Sequence, residues 1–448
     1  MRVHYHTFGC KANQYDTERM RQEGEARGAV TTEERTSADA FVVNTCTVTN
    51  RADAEARRFI RRLHRERPDA PIIVAGCSAA LREDMYREMP GVTHVVRGHD
   101  PVRVAMGLGG PSFSPTGTSA GGPDAPLTQI ELRSSLDRMH TEPIGGELLR
   151  SRRGAARGWL KIQDGCDRKC SFCATRLARG TSRSRDPAEV VAEARLLART
   201  HAELVLTGIH IGHYGLDLDP VTSLSALCAA LLEGAPDVRV RLGSVEATEV
   251  DDLLVELIAT SGGRLAPHLH MPLQSGADPV LRLMRRWHTR EQYRTRTLEI
   301  AERLDPLGLG ADVITGFPGE SEEDHASTRA LVDQLPFTYL HVFPFSPRAD
   351  TVAAGLPSSV PQRVAGERAR ELRELAVAKA RAHRTARVGS GATVVVEGDG
   401  GVGLTEDYLR VDVPRGWLPE VAVLSGTLRG DPDHLYIDAP RESDRIGA

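Results

Sequence analysis

Three cysteines stand at the same phase of a repeating pattern, and that repetition restricts the fold of the first hundred residues. Cys10, Cys46 and Cys77 close the runs HTFGC, VVNTC and IVAGC, 36 and 31 residues apart. Apolar runs at 2–8, 39–43, 71–75 and 93–96 read as short strands, with polar helical segments near 13–28, 50–67 and 81–89 between them. This alternation predicts a parallel, doubly wound α/β sheet. In such a sheet the carboxyl ends of the strands share one edge, where ligands bind. Three thiols remote in sequence then converge on one spot. The alternative is three separate core cysteines, since a free cysteine packs as a small hydrophobe. Cys228, in LSALCAALL, fits that description and is expected in a core.

A second triplet, Cys166, Cys170 and Cys173, has x3 and x2 spacing and follows a strand predicted at 158–163. Further strands are expected at 204–207, 239–243, 268–271, 310–315 and 338–343. Helices are expected near 187–200, 223–233, 249–260, 291–304 and 321–335. Six strands with helical crossovers suit a partial (β/α)6 barrel better than a closed eight-stranded one. Thiolates are the usual ligands of a [4Fe–4S] cluster, and three of them leave one iron open to a substrate or cofactor. Two alternatives stand beside this reading. One is a zinc site completed by His64, His94 or His99 from elsewhere in the fold, and the other is three buried thiols.

Lys plus Arg number 57 and Asp plus Glu 61, a net charge of −4, which excludes a basic coat over the whole molecule. Hydrophobic residues at 40% and charged residues at 26% exclude overall disorder. No stretch approaches the ~18 apolar residues of a membrane span, and MRVHYHTFGC lacks the apolar core of a secretory signal. A cytoplasmic location, with reduced thiols and no membrane partner, is expected. Charge is uneven along the chain. Residues 150–185 hold eleven basic and two acidic side chains. Arg152, Arg153, Arg157, Arg179, Arg183 and Arg185 are candidates for phosphate contact, against the alternative of a solvated surface run. The segment 361–388 reads as a helix with eight basic and three acidic residues. The runs that follow suit a small all-β barrel, although 389–448 carries eleven acidic and five basic residues. The expected organisation is 1–105, a linker and lead-in at 106–150 (loose and Gly/Pro/Ser-rich over 106–126), a core at 151–360, the basic helix at 361–388 and the β domain at 389–440.

The CxxxCxΦC pattern at the head of a βα series resembles the radical S-adenosylmethionine (SAM) superfamily. Two three-cysteine sets, with a small β tail, are similar to its methylthiotransferases. GCKANQYDTE (9–18), NTCTVTNRAD (44–53), KIQDGC (161–166), ARGTSRSR (178–185), TGIHIGHYG (207–215), HLHMPLQSG (268–276) and LHVFPFSPRADT (340–351) resemble the branch acting on N6-threonylcarbamoyladenosine in tRNA. The isopentenyladenosine and ribosomal-protein branches are the alternatives within the superfamily. An iron–sulfur electron carrier or a zinc-stabilised RNA-binding module is the alternative from outside it.

The resemblance implies an auxiliary [4Fe–4S] cluster on Cys10, Cys46 and Cys77 and a second on Cys166, Cys170 and Cys173. The second would bind SAM and yield a 5′-deoxyadenosyl radical, and CH3S would be installed at C2 of the adenosine at position 37. It also implies an anticodon stem-loop as partner, an electron donor such as flavodoxin or ferredoxin, and a TRAM-like RNA-binding tail. The acidity of that tail shifts the expected RNA duty toward the basic helix. Phe172, Gly208, Ser244, Glu246, His270, Gln274, Asp312 and Gly316, the last opening the loop GFPGE, are the expected SAM contacts. Most stand at the ends of the predicted strands, on one end of the barrel. ATRLARG after Cys173 departs from the family's more apolar stretch, which alters the expected packing under the cluster.

Overall fold

The computed structural model describes residues 1–109, 148–152, 154–398, 401–414 and 423–438. They form two compact units. The first comprises Met1–Leu149 with Gln163–Lys169 and Cys173–Arg183, and the second comprises Arg150–Ile162, Cys170–Phe172 and the chain from Ser184 onward. Residues 110–147 of the expected linker, and Arg153, lie outside the described residues.

In the first unit β1 (Arg2–Thr7), β2 (Val30–Thr31), β3 (Ala40–Thr45), β4 (Ile72–Gly76) and β5 (Val92–Val95) form one parallel sheet in the order β2-β1-β3-β4-β5. Side chains alternate across β3. Phe41 and Val43 meet Phe59, Ile60 and Leu63 of α2 (Asn50–Glu66). Ala40 and Val42 face the opposite core, with Met20 of α1 (Lys11–Ala26) and Val104. Both faces are thus covered, as a doubly wound sheet requires. The order 2-1-3-4-5 places the topological switch point between β1 and β3.

Local departures from the sequence reading have local causes. The helix expected at 81–89 is two short helices, α3 (Cys77–Leu81) and α4 (Glu83–Arg87), broken at Arg82. The helix Pro101–Gly107 was not anticipated. It starts where the Asp100 carboxylate accepts the backbone N–H groups of Val102 and Arg103, with proline at the first helical position.

In the second unit Arg157–Lys161, Glu203–Thr207 and Arg239–Leu242 pair in parallel, as do His268–His270, Gly308–Thr315 and Tyr339–Pro344. Parallel bridges Val240–Leu265 and Ser244–His270 join the two sets into an open six-stranded (β/α)6 barrel in chain order. The helix Gln362–Arg387 leads to a closed five-stranded barrel within 391–438. This small barrel sits under the starts of the six strands. Buried Arg241 is bidentate to buried Glu203 at 2.9 and 2.8 Å and donates to the Thr405 and Glu406 carbonyls at 2.9 Å. Arg157 pairs with Glu397 at 2.6 Å. The strand ends that carry the expected cofactor contacts therefore lie at the opposite end.

Two arginines of the basic helix pair with carboxylates of the acidic tail. Arg387 pairs with Glu406 and Asp407, and Arg381 with Asp433. Arg384 donates to Arg410 O, Arg373 to Val342 O, and Lys379 to the Asp333 and Leu335 carbonyls. Arg363, Arg370, Arg373 and Arg381 of the helix are nevertheless exposed. Among the described residues no helix is long and apolar enough to cross a membrane.

Candidate functional site

β1, β3 and β4 deliver the first cysteine triplet to one edge of the sheet. Cys10 caps α1, Cys46 directly follows β3, and Cys77 opens α3. Cys46 and Cys77 are buried and Cys10 is exposed. Burial pushes the Cys77 thiol up to about 12; Arg179 opposes this, while Cys10 and Cys46 push it further, so the three sulfurs feel one another's charge.

The two Gly-Cys pairs of this triplet exist because no side chain fits before the cysteine. Gly9 has φ +106°, and a Cβ there would lie 2.6 Å from the Cys46 sulfur. Gly76 has φ +103°, and its Cβ would lie 2.3 Å from both Asn44 Oδ1 and the Thr45 carbonyl. Only glycine tolerates both that conformation and that approach.

Asn13 ties the three cysteine-bearing loops together. Its Nδ2 donates to the Phe8 and Thr45 carbonyls at 2.9 Å, just before Gly9-Cys10 and Cys46. Its Oδ1 accepts from Arg179 at 2.5 Å and lies 3.6 Å from the Cys77 sulfur. Asn44 Nδ2 donates to the Asn13 carbonyl at 2.9 Å. The Asn of GCKANQ and the Asn of NTC are thus structural partners.

Arg179 is buried at the same place, donating to Asp164, Asp16, His99 and the Cys77 sulfur. His99 Nε2 accepts from Arg179 at 3.0 Å, so its lone pair is engaged and it is a poor fourth zinc ligand. A single zinc ion also needs its ligands close together, at about 2.3 Å from one centre for sulfur. Among the described residues the groups whose ligand atoms come within 4.8 Å of one another are His210/His213/Glu249 and His270/Asp312/His341, and neither includes a cysteine. A multi-iron cluster, whose thiolates sit on different irons, fits the triplets better.

The second triplet lies on the loop between Gln163–Asp164 and the helix Thr175–Arg179, each thiol half-buried. Cys166 and Cys173 belong to the first unit and Cys170 to the second. Arg286 Nη1 approaches the Cys170 sulfur at 3.7 Å and is ion-paired with Glu246. Burial raises the Glu246 carboxyl, and Arg286 works against that rise. Sequence reasoning missed Arg286, because nothing in MRRW marks it. Phe172 packs edge-to-face on Phe317, at 6.4 Å, in an apolar cluster with Val280 and Met284.

Gly208, Ser244, Glu246 and Gln274 all follow strand ends of the partial barrel, as expected. Ser244 is exposed, and Gln274 is half-buried with φ +64°. His270 and Asp312 are 3.2 Å apart, and His341 reaches the same Asp312 oxygen at 3.2 Å. Burial opposes ionisation of Asp312, but the two histidines hold its carboxyl below the usual range. Gly316 has a different explanation from the one expected. A Cβ there would lie 2.3 Å from Ala365 Cβ, so the glycine lets the GFPGE loop pack on the helix Gln362–Arg387. Glu320 of that loop pairs with Arg368 at 2.7 Å. Cys228 is fully buried, as expected.

Burial also corrects part of the basic-patch reading. Arg179 and Arg185 are 3% and 2% exposed, and Arg185 pairs with buried Glu193 and the Lys161 carbonyl. Arg179 and Arg185 cannot serve as phosphate ligands, whereas Arg157 is half-buried with its charge answered by Glu397. Arg152 stacks over Trp159 at 4.3 Å, and it and Arg183 are half-buried.

Comparison with known proteins fits this geometry. Residues 2–98 match the model of the "Uncharacterized protein family UPF0004", and residues 160–332 match that of the Radical SAM superfamily. The threonylcarbamoyladenosine tRNA methylthiotransferase MtaB of Bacillus subtilis is 35% identical over 83% of this chain and 79% of its own. The chain belongs to the radical SAM methylthiotransferases. A second member, the tRNA-2-methylthio-N(6)-dimethylallyladenosine synthase of Sorangium cellulosum, is 35% identical over 88% of this chain and 81% of its own. Among solved structures, the radical SAM methyltransferase TsrM of Kitasatospora setae shares the fold, with TM-score 0.57 and 16% identity over 79% of this chain and 77% of that one. The cofactors of a radical SAM methylthiotransferase are SAM and two [4Fe–4S] clusters, and the two thiol triplets suit them.

Gly9→Ala is expected to displace Cys46 and to remove roughly one cluster's share, about half, of the bound iron. Gly28→Ala is the control, because Gly28 has φ +89° but no atom within 4 Å of its would-be Cβ. Iron assays on anaerobically prepared protein read the difference. Equal, full iron in both variants would contradict the packing argument.

Proposed function

We propose that this protein installs a methylthio group at C2 of N6-threonylcarbamoyladenosine at position 37 of tRNA. In this reading Cys10, Cys46 and Cys77 hold the auxiliary cluster, and Cys166, Cys170 and Cys173 hold the cluster that binds SAM. The observation that carries it is the pair of cysteine triplets, one at the switch-point edge of a parallel sheet and one on the loop between Gln163–Asp164 and the helix Thr175–Arg179. Three thiolates leave one iron of each cluster open. When bound, the barrel cluster supplies the electron for reductive cleavage of SAM, the hard chemistry that acid–base groups cannot perform.

The chain's own residues position and shield. Gly208, Ser244, Glu246 and Gln274, at neighbouring strand ends, seat SAM. The Glu246–Arg286 pair fixes the surroundings of Cys170, and Phe172 with Phe317 packs water away beside it. The threonylcarbamoyl reading draws on the GCKANQ and NTC motifs and on the relatives that bear that name. The dimethylallyl reading is favoured by one relative of equal identity.

An anticodon loop presents unstacked bases, the form in which proteins usually read RNA. Bringing the target base out of its stack costs a few kcal/mol, which phosphate contacts help offset. Of the arginines of 150–185, half-buried Arg152 and Arg183 are the candidates for such contacts. A second surface is α2, which begins four residues after Cys46 and buries Phe59, Ile60 and Leu63. Its other side exposes Arg51, Arg58, Arg62 and Arg65 at helical spacing. A cytoplasmic location, and a low-potential donor such as flavodoxin or ferredoxin, follow from the tRNA substrate and the cluster chemistry.

Nucleoside analysis of tRNA from a strain lacking this protein tests the substrate. Loss of 2-methylthio-N6-threonylcarbamoyladenosine supports the proposal. Its persistence, with loss of the dimethylallyl counterpart or of a methylthio group on a ribosomal protein, would sink it. The triple variant Arg58→Gln/Arg62→Gln/Arg65→Gln is expected to reduce the log–log salt slope of tRNA binding by about two to three, close to one per lost phosphate contact. An unchanged slope would remove α2 from the interface.

A further inference from the structure

Arg179 was read in the sequence as a phosphate ligand, and its burial leaves it without that role. It lies one residue before Gly180, at the end of the short helix after Cys173. Its guanidinium has a different set of partners. Nη1 is bidentate to Asp164 at 2.9 and 3.0 Å, Nη2 reaches Asp16 at 2.8 Å, and Nε donates to the Cys77 sulfur at 3.2 Å. Asp16 and Asn13 lie on α1 behind Cys10, and Asp164 stands two residues before Cys166. One cation thus touches a thiol of the first triplet and the carboxylate that leads into the second.

We propose that Arg179 is a positioning residue that tunes the auxiliary cluster: its N–H bond to the Cys77 sulfur and its buried charge raise that cluster's reduction potential. This rests on the assignment of a cluster to Cys10, Cys46 and Cys77. Hydrogen bonds to cluster sulfurs, net charge and solvent exposure are the levers that set such potentials. Partners behind the ligands orient them as well. Lysine cannot reproduce the arrangement, because a single ammonium lacks the planar fork that meets two carboxylates and a sulfur at once. Without the guanidinium, Asp16 and Asp164 would stand as uncompensated carboxylates beside the thiolates, and the reduced, more negative cluster would be disfavoured.

The test uses the full chain with Cys166, Cys170 and Cys173 replaced by Ala, so that only the auxiliary site can load. Iron and sulfide content is measured first. A chain with Arg179 intact that binds no iron refutes the cluster assignment itself, separately from the role of Arg179. Mediated dithionite titration followed by electron paramagnetic resonance then reads the midpoint potential. Arg179→Gln is expected to shift it to lower potential, and Arg179→Lys to shift it less, at undiminished iron content. An unchanged midpoint in a loaded variant would overturn the proposal. So would failure of both variants to load, since Arg179 would then be a structural support only.

Discussion

In the parallel sheet of the first unit Thr7 sits opposite Asn44 and Thr45 opposite Gly76, so β1, β3 and β4 end level. The convergence of the first cysteine triplet depends on this register. A slip of one residue would turn the strands' side chains to the wrong faces and separate the thiols. The level ends also bring the loops so close that Gly9 and Gly76 cannot carry side chains. Asn13 then holds the loops from inside, with backbone carbonyls of two of them as acceptors. The site is therefore a product of strand pairing first and of side-chain chemistry second.

The second governing effect is the inward turn of arginines. Burying a guanidinium is costly unless carboxylates and carbonyls satisfy it, and here they do. Arg179 has Asp16 and Asp164, Arg185 has Glu193, and Arg241 has Glu203 with two carbonyls of the small β barrel. The same pairing uses much of the tail's acidity. Glu397, Glu406, Asp407 and Asp433 answer arginines of the barrel and of the helix Gln362–Arg387. The segment that looks most like an RNA-binding patch by charge count is thus partly internal scaffolding, and exposed positive charge is found on α2 and on the helix Gln362–Arg387.

Much of this was legible in the sequence because its signals are periodic. The six barrel strands stand within two residues, and their five expected helices within three, of where apolar runs and spacing put them. Gly208, Ser244 and Gln274 fall at strand ends for the same reason. What was not legible depends on three-dimensional direction. A count of arginines does not say which ones point inward, so Arg179 and Arg185 were misread. Gly316 looked like part of a ligand loop, whereas its close neighbour is Ala365, fifty residues away in sequence. Arg286 belongs to no motif and is recognised only through its approach to Cys170 and its pair with Glu246. Val30–Thr31 is too short to show alternation at all.

The central claim is that the two thiol sites have separate duties. The most direct measurement follows SAM cleavage and methylthio insertion together, in reduced protein, for two variants that each lack one triplet. The account predicts that loss of Cys166, Cys170 and Cys173 abolishes both 5′-deoxyadenosine and methylthiolated tRNA. Loss of Cys10, Cys46 and Cys77 should leave 5′-deoxyadenosine formation in place while methylthiolation disappears. Methylthiolated tRNA from the protein without its amino-terminal thiols would contradict the account.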